Sequence, residues 1–261
     1  MIKHAEKHLV ILTATVVPQV EQGLIRNDPK LRLIDYLNSI EKVEKQIKNF
    51  DADVLVVENS DNSNLILDGL MEKHIDTKRI SFLSCPIDKS SSILGISSGE
   101  HGMLREVGKS FDLNSYDVIW KLTGRLGVDN LRSLLSKSSG DLRANTFFGQ
   151  HHSIDSRFFG MSKALFIEFA ESTPHYSERS ANDQRELYGS HFKSIEYFLA
   201  YFALKAETQG YTFRSLPYLP VYRGVSGSTG KSLDGIRTRI ITISLNRLRK
   251  VLTKGLLGVN P

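Results

Sequence analysis

Four short apolar runs, each followed by polar residues and separated by amphipathic stretches, limit what this chain can fold into. They are HLVILTATVVP (8–18), ADVLVVENS (52–60), RISFLSCP (79–86) and DVIWKLTG (117–124). Each reads as a buried strand. Between the first two, Leu33, Ile34, Leu37, Ile40, Val43 and Ile47 recur at three- and four-residue spacing, which predicts a helix over 29–49. Shorter helices are expected at 64–74 and 99–110. Strands alternating with helices indicate an α/β fold with a mostly parallel, Rossmann-type sheet flanked by helices. Beyond residue 125 the pattern changes. Residues 145–162 read as strand and loop, 163–172 and 192–207 as helices, 216–232 as a Pro/Gly/Ser loop region, and 233–257 as a last, basic helix. With no repeat and no long linker, the expected division is one domain over 1–230 and an amphipathic C-terminal helix over 231–261.

Composition narrows the class. Apolar residues make up 40% and charged residues 24%, as in an ordinary globular protein. The single cysteine, Cys85, rules out an intrachain disulfide and a cysteine-cluster metal site, and it fits a reducing compartment. The run from Leu9 to Pro18 is too short to span a membrane and is broken by Thr13 and Thr15. The start, MIKHAEKH, carries Glu6 among its basic residues and has no small-residue cleavage site after it, so a mature cytoplasmic protein is expected. The net charge of +5 is unevenly placed. Seven Lys/Arg and one acid lie in 231–261, giving that segment +6 and leaving −1 for 1–230. A nucleic-acid binder usually spreads its basic residues over a face, so nucleic acid is not an expected partner.

In an open parallel sheet, ligands bind beyond the carboxyl ends of the strands. Three polar clusters fall there: Thr13 and Thr15 after the first strand, Glu58, Asn59 and Ser60 after the second, and Lys121, Thr123 and Arg125 after the fourth. Lys and Arg in such a crevice suit an anion. Thr123 and Gly124 allow close backbone approach. The competing reading is a strand end tied down by ion pairs with Asp117 or Asp129. No standard phosphate loop is present. GISSGEHG (95–102) is neither a dinucleotide fingerprint nor a Walker loop, and GSTGKS (227–232) lacks the first glycine of the Walker spacing.

The element Lys121-Leu122-Thr123-Gly124-Arg125, followed by Val128-Asp129-Asn130, resembles the K-[IL]-T-G-R and V-x-N elements of bacterial glycosyltransferases of polysaccharide and lipopolysaccharide assembly. Other pieces agree in order. RNDPKLRLIDYLNSI is similar to their Arg-x-Asp-Pro-x-x-Arg-x-x-x-Tyr stretch, VVENSDNS to their Glu-Asn-Ser element, Gly99-Glu100 to their Gly-Glu, DSRFFGMS (155–162) to their Asp-x-Arg-Phe-Phe, and VSGSTG (225–230) to their closing loop. The pieces run from about residue 8 to 230. The resemblance implies a GT-A-like fold and transfer of a sugar, galactose or galactofuranose favoured, from a UDP-sugar to a growing bacterial surface glycan.

Most GT-A enzymes hold a divalent metal on an Asp-x-Asp motif about a hundred residues after the first strand. Here the only such motif, Asp51-Ala52-Asp53, precedes a strand and reads as a helix-to-strand connection. Its expected place is taken by Lys121 to Arg125. The resulting expectation is a metal-independent enzyme with no cofactor, in which Lys121 and Arg125 neutralise the leaving diphosphate. The resemblance also places Thr13, Thr15, Arg26, Glu58, Asn59, Ser60, Glu100, Lys121, Thr123, Gly124 and Arg125 around the donor. Glu58 would accept from ribose hydroxyls, and Thr13 and Arg26 would lie beside base and phosphates.

An inverting transferase needs a carboxylate to take the acceptor's proton. Glu196, at the start of the apolar helix SIEYFLAYFAL, is the first candidate, and Asp155 the second. The bland reading of Glu196 is a charge favourable at a helix N-terminus, and that of Asp155 a turn or ion pair with Arg157. His151 and His152 point oppositely on a strand and suit acceptor contacts better than one shared metal. Arg157 and Ser228 complete the expected acceptor side, and the polar stretch 173–191 reads as a specificity loop. Trp120, Phe147, Phe148, Phe158 and Phe159 are available for sugar faces or for the core. The cationic tail suits the anionic inner face of the cell membrane, where lipid-linked glycan acceptors are handled. A nucleotidyltransferase and a membrane-docked carbohydrate- or nucleotide-binding protein are the alternatives.

Overall fold

The computed structural model describes residues 6–18, 25–85, 96–147, 150–171, 195–226, 230–235 and 241–246. The first half alternates as the apolar runs require: β1 (His8–Ala14), α1 (Pro29–Ile47), β2 (Ala52–Glu58), α2 (Ser63–Glu72), β3 (Ile80–Ser84), α3 (Ile96–Ser110) and β4 (Val118–Thr123). Then come β5 (Leu126–Val128), α4 (Leu131–Lys137), β6 (Leu142–Ala144), β7 (Thr146–Phe147), β8 (Gln150–Ile154) and β9 (Phe158–Ser162). A helical stretch over 163–171 precedes α5 (Ile195–Thr208), β10 (Phe213–Ser215) and β11 (Tyr222–Gly224). Asp28 caps α1, its carboxylate accepting from the amides of Lys30 and Leu31, and Pro29 occupies the first turn, where its missing N–H costs nothing.

Seven strands form one sheet in the order β10-β6-β9-β4-β1-β2-β3. β1 to β4 are mutually parallel, β9 runs antiparallel between β4 and β6, and β10 is parallel to β6. The chain lays β2 and β3 on one side of β1, then crosses to lay β4 on the other. The topological switch point therefore lies between β1 and β4, where such sheets open a crevice at their carboxyl edge.

Side-chain alternation divides the core into two layers. Val10, Leu12, Val54, Val56, Val118, Trp120 and Leu122 pack with α1, α2 and α4. Leu9, Ile11, Leu55, Val57 and Ile119 pack with α3, the 163–171 helix and α5. Trp120, Phe158 and Phe159 are core side chains, Trp120 stacking on Phe158 at 5.1 Å. Cys85 is buried, and burial pushes its thiol up to about 11.

Several boundaries differ from the sequence expectation, and the helix at Leu131–Lys137 was not expected. β1 stops at Ala14 instead of Pro18, because the amides of Thr15, Val16 and Val17 are drawn to side chains of Tyr36, Glu58 and Ser60. The 216–232 region holds β11, paired antiparallel with β5, and a bridge between Val225 and Ser232. Residues 233–235 are not helical, whereas 241–246 are. Most of the expected basic helix, the specificity loop 173–191 and the Gly/Ser loop around Ser228 lie outside the described residues.

Candidate active site

The parallel register sets Thr13 opposite Thr123 and Ala14 opposite Glu58. The three polar clusters therefore stand side by side at one carboxyl edge, over the switch point. Gly124 closes the floor. Its amide donates to the Thr13 carbonyl at 3.0 Å, and a Cβ there would lie 2.5 Å from that oxygen. No larger residue fits.

Lys121 belongs to the layer under α3 and α5. Its ammonium is fully buried and all three of its protons are engaged, by Glu100 Oε1 at 2.6 Å, the Ser156 carbonyl at 2.6 Å and Thr123 Oγ1 at 3.0 Å. Thr13 donates its hydroxyl to the same Glu100 oxygen at 3.1 Å. Asp117 and Asp129 are occupied elsewhere, by the Lys7 amide and by Arg223. The lysine at the end of a core strand is thus neutralised by a carboxylate reaching down from α3, and it ties β4, α3 and the β8–β9 turn together.

Ser156 carries the connection onward. Its hydroxyl donates to Glu196 Oε1 at 2.6 Å, in the first turn of α5. Glu196 and Lys121 are thereby joined through one serine. His101, one residue beyond Glu100, lies between Phe169 and Phe198 and feels the charges of both Lys121 and Glu196.

On the α1 side the cations are arranged differently. Arg32 is buried and, among the described residues, bonds neutral groups: the carbonyls of Thr15 at 2.6 Å and Arg26 at 3.0 Å, and the Tyr36 hydroxyl at 3.0 Å. Tyr36 in turn bonds both the amide and the carbonyl of Thr15. Burial lowers the Arg32 pKa and the nearby charge of Arg125 lowers it further, against a favourable contribution from Tyr36. Arg125 Nη1 is buried without a hydrogen-bond partner among the described residues. Among the described residues, neither Arg32 nor Arg125 is ion-paired to a carboxylate. Arg26 is, gripping Asp35 bidentately at 2.9 Å.

Glu58 is fully buried, and its carboxylate accepts from the amides of Val16, Ser60 and Asn62 and from the Ser60 hydroxyl. In this structure it organises the two loops rather than facing the crevice. Asn59 accepts from Thr15 Oγ1 at 2.6 Å. Asp155 is held bidentately by Arg157 at 2.8 Å and receives the Tyr222 hydroxyl at 3.1 Å, with the guanidinium over the Tyr222 ring at 4.4 Å. Burial opposes the Arg157 charge, but Asp155 outweighs it and raises the pKa; burial and Asp155 together push the Tyr222 phenol well up.

Arg32, Tyr36, His101, Ser156 and Tyr222 were not among the sequence-derived site residues. Arg32 and Tyr36 had a signal, as the last two members of the Arg-x-Asp-Pro-x-x-Arg-x-x-x-Tyr stretch, but no role was assigned to them. The side chains of His151 and His152, on β8, and residue Ser228 lie outside the described residues. Asp53 sits at the opposite, amino edge of the sheet, bonded to Lys7, Arg79 and Tyr116. Among the described residues, no three His, Cys, Asp or Glu gather as a metal-ligand set.

No protein-family model and no curated protein sequence matches the chain. Solved structures overlap it in part. The galactosyltransferase LgtC, in complex with donor and acceptor sugar analogues, aligns at TM-score 0.42 and 11% identity over 69% of this chain and 64% of its own. The inositol-1-phosphate CTP transferase from T. maritima aligns at 0.48 and 11% identity over 99% of each chain. The glycosyltransferase GlyE of Streptococcus pneumoniae aligns at 0.43 and 10% identity over 82% of this chain and 45% of its own. The chain spans just under two thirds of the LgtC length. All three scores lie below 0.5, and any assignment of activity rests on the chain's own residues.

Proposed function

We propose that this chain is a GT-A-like glycosyltransferase that binds a UDP-sugar at the switch point between β1 and β4. The observation that carries the reading is the Arg32–Arg125 pair: two neighbouring cations at the carboxyl edge, neither ion-paired to a carboxylate among the described residues, with Asp35 acting on Arg32 only from beyond contact while it is gripped by Arg26. A diphosphate supplies the missing negative charge, and Arg offers it a planar fork of donors. Arg125 is the direct contact, and Arg32 backs it while fixing the Thr15 loop. Lys121 serves indirectly, by holding Glu100, Thr123 and the Ser156 backbone in place. These fixed cations replace a divalent metal on the leaving group.

Glu196 is the base. Its carboxylate takes the proton of the acceptor hydroxyl as that oxygen bonds to the anomeric carbon, and the bond to the diphosphate breaks with its electron pair leaving on UDP. Ser156 orients the carboxylate, and Asp155 with Arg157 and Tyr222 shapes the neighbouring acceptor side. The resemblance of the motifs to surface-glycan enzymes favours galactose or galactofuranose as the sugar. Exposed Ile241, Ile243 and Leu245, within the cationic C-terminal segment, support docking on an anionic membrane surface where a lipid-linked glycan is extended.

Calorimetric titration with UDP, GDP and CMP, with and without chelator, tests the donor site. UDP should bind with chelator present, and Arg125→Ala should weaken it by about 10–100-fold, the worth of a charge-assisted hydrogen bond. No nucleotide binding, or wild-type binding by Arg125→Ala, would refute the reading. Glu196→Gln should abolish transfer while keeping UDP affinity. Pyrophosphate release from a nucleoside triphosphate and a sugar phosphate would instead mark a nucleotidyltransferase. A variant lacking residues 236–261 that still pellets with anionic vesicles would end the membrane proposal.

A further inference from the structure

One polar atom near Glu196 stands unsatisfied. His101 Nε2 is buried and has no hydrogen-bond partner among the described residues. The ring is nonetheless held, tilted against Phe198 at 4.8 Å and edge-on to Phe169 at 6.2 Å. Those contacts need an aromatic ring and make no demand on a nitrogen. A phenyl group would satisfy them without the cost of stripping water from a polar atom that receives nothing in return.

The position of the ring is equally specific. It belongs to the residue after Glu100, whose carboxylate holds Lys121 at 2.6 Å, and it lies close enough to Lys121 and Glu196 for both to act on it electrostatically. Burial, with the Lys121 charge adding to it, pushes the imidazole down to about 4, Glu196 pulling the other way. The ring is therefore neutral at physiological pH, one nitrogen a donor and the other an acceptor. A neutral nitrogen of either kind is matched by a hydroxyl, which both donates and accepts, and it offers a phosphate no charge.

We propose that His101 is a substrate-contact residue whose Nε2 exchanges a hydrogen bond with a hydroxyl of the donor's sugar. The assignment rests on the donor reading above, and it places the transferred sugar between the Lys121–Glu100 pair and Glu196. The nitrogen stays unsatisfied until that sugar arrives, so affinity for the sugar is gained at the expense of stability in the free protein.

The opposed effects on stability and binding make the inference testable with one substitution. His101→Phe keeps the aromatic packing and removes the nitrogen. The variant should melt at or above the wild-type temperature. Its affinity for UDP alone should be unchanged. The extra affinity that the sugar adds, measured as UDP-galactose, UDP-glucose or UDP-N-acetylglucosamine against UDP, should fall by about three- to tenfold, the loss of one neutral hydrogen bond. His101→Gln, which keeps an amide donor and acceptor, should recover part of it. A His101→Phe protein that is destabilised or insoluble would overturn the inference, because the nitrogen would then serve the free protein. Wild-type sugar discrimination in a stable His101→Phe would overturn it while leaving the donor reading intact. A wild-type protein that binds no uridine nucleotide would remove the donor reading and this inference with it.

Discussion

Replacing Lys121 by Met should damage the fold before it damages the chemistry. The ammonium is fully buried, and its only charged partner among the described residues is Glu100, whose side chain is 17% exposed. Removing one member of a buried pair costs about 3–5 kcal/mol, because the remaining charge is left uncompensated. The partial exposure of Glu100 and its remaining bond from Thr13 put the expected loss at the low end, about 3 kcal/mol. For a chain of this length that corresponds to a drop of roughly 6–12 °C in melting temperature. Adding Glu100→Gln removes the stranded carboxylate, so the double variant should recover most of the loss, and the two substitutions should not add. Urea unfolding of the wild type, both single variants and the double variant measures this directly. A Lys121→Met protein as stable as wild type, or strictly additive effects, would refute the claim that Lys121 acts as a structural tie. If the double variant folds normally yet binds UDP tenfold or more weakly, Lys121 touches the donor after all.

Three further outcomes follow from particular contacts. Burial, against the opposing pull of Glu6, holds His8 down at about 4, and its Nδ1 accepts from Trp120 Nε1 at 3.1 Å; His101 is held equally low. Both folded values lie below the ordinary 6.5, so the unfolded chain protonates first. Stability should be full above about pH 6.5 and decline toward pH 4, by about 2 kcal/mol per histidine at pH 5; a urea midpoint equal at pH 7.5 and 5 would contradict this, and His101→Phe should roughly halve the change. Gly124→Ala would press a Cβ to 2.5 Å from the Thr13 carbonyl oxygen, backbone against backbone. It should cost about 1–3 kcal/mol in chemical denaturation and weaken UDP binding together, and a neutral result would show that the crevice floor can yield. Asn246 bonds both the amide and the carbonyl of Leu219, at 2.6 and 3.0 Å. Asn246→Ala should lose about 1–2 kcal/mol locally and hasten proteolysis near residues 241–246, with an unchanged cleavage rate counting against that anchor.

Much of the architecture was legible in the residues themselves, because local periodicity reflects which face is buried. Spacing of three and four over Leu33 to Ile47 marked α1, and the apolar runs marked β1 to β4. Their alternation implied parallel strands, and parallel strands put Thr13, Glu58 and Thr123 at the same edge. The small β5–β11 pair was not legible, since strands of three residues leave no period to detect.

What only the tertiary structure decided is which charges meet. Lys121 and Arg125 are four residues apart and look alike in the sequence as cations of one motif. The fold gives the first a carboxylate from α3 and the second a neighbouring arginine from α1. Glu58 and Glu196 both stand at element ends, yet one is consumed by loop amides and the other accepts from the Ser156 hydroxyl. Pairing depends on contacts between residues tens of positions apart, set by strand order and helix crossing, and local pattern carries no record of those. The sequence determined the sheet, its polar edge and the residue types gathered there. Packing determined which of those residues are spent on the fold and which remain for a ligand, because a buried charge takes whatever partner the tertiary contacts bring to it.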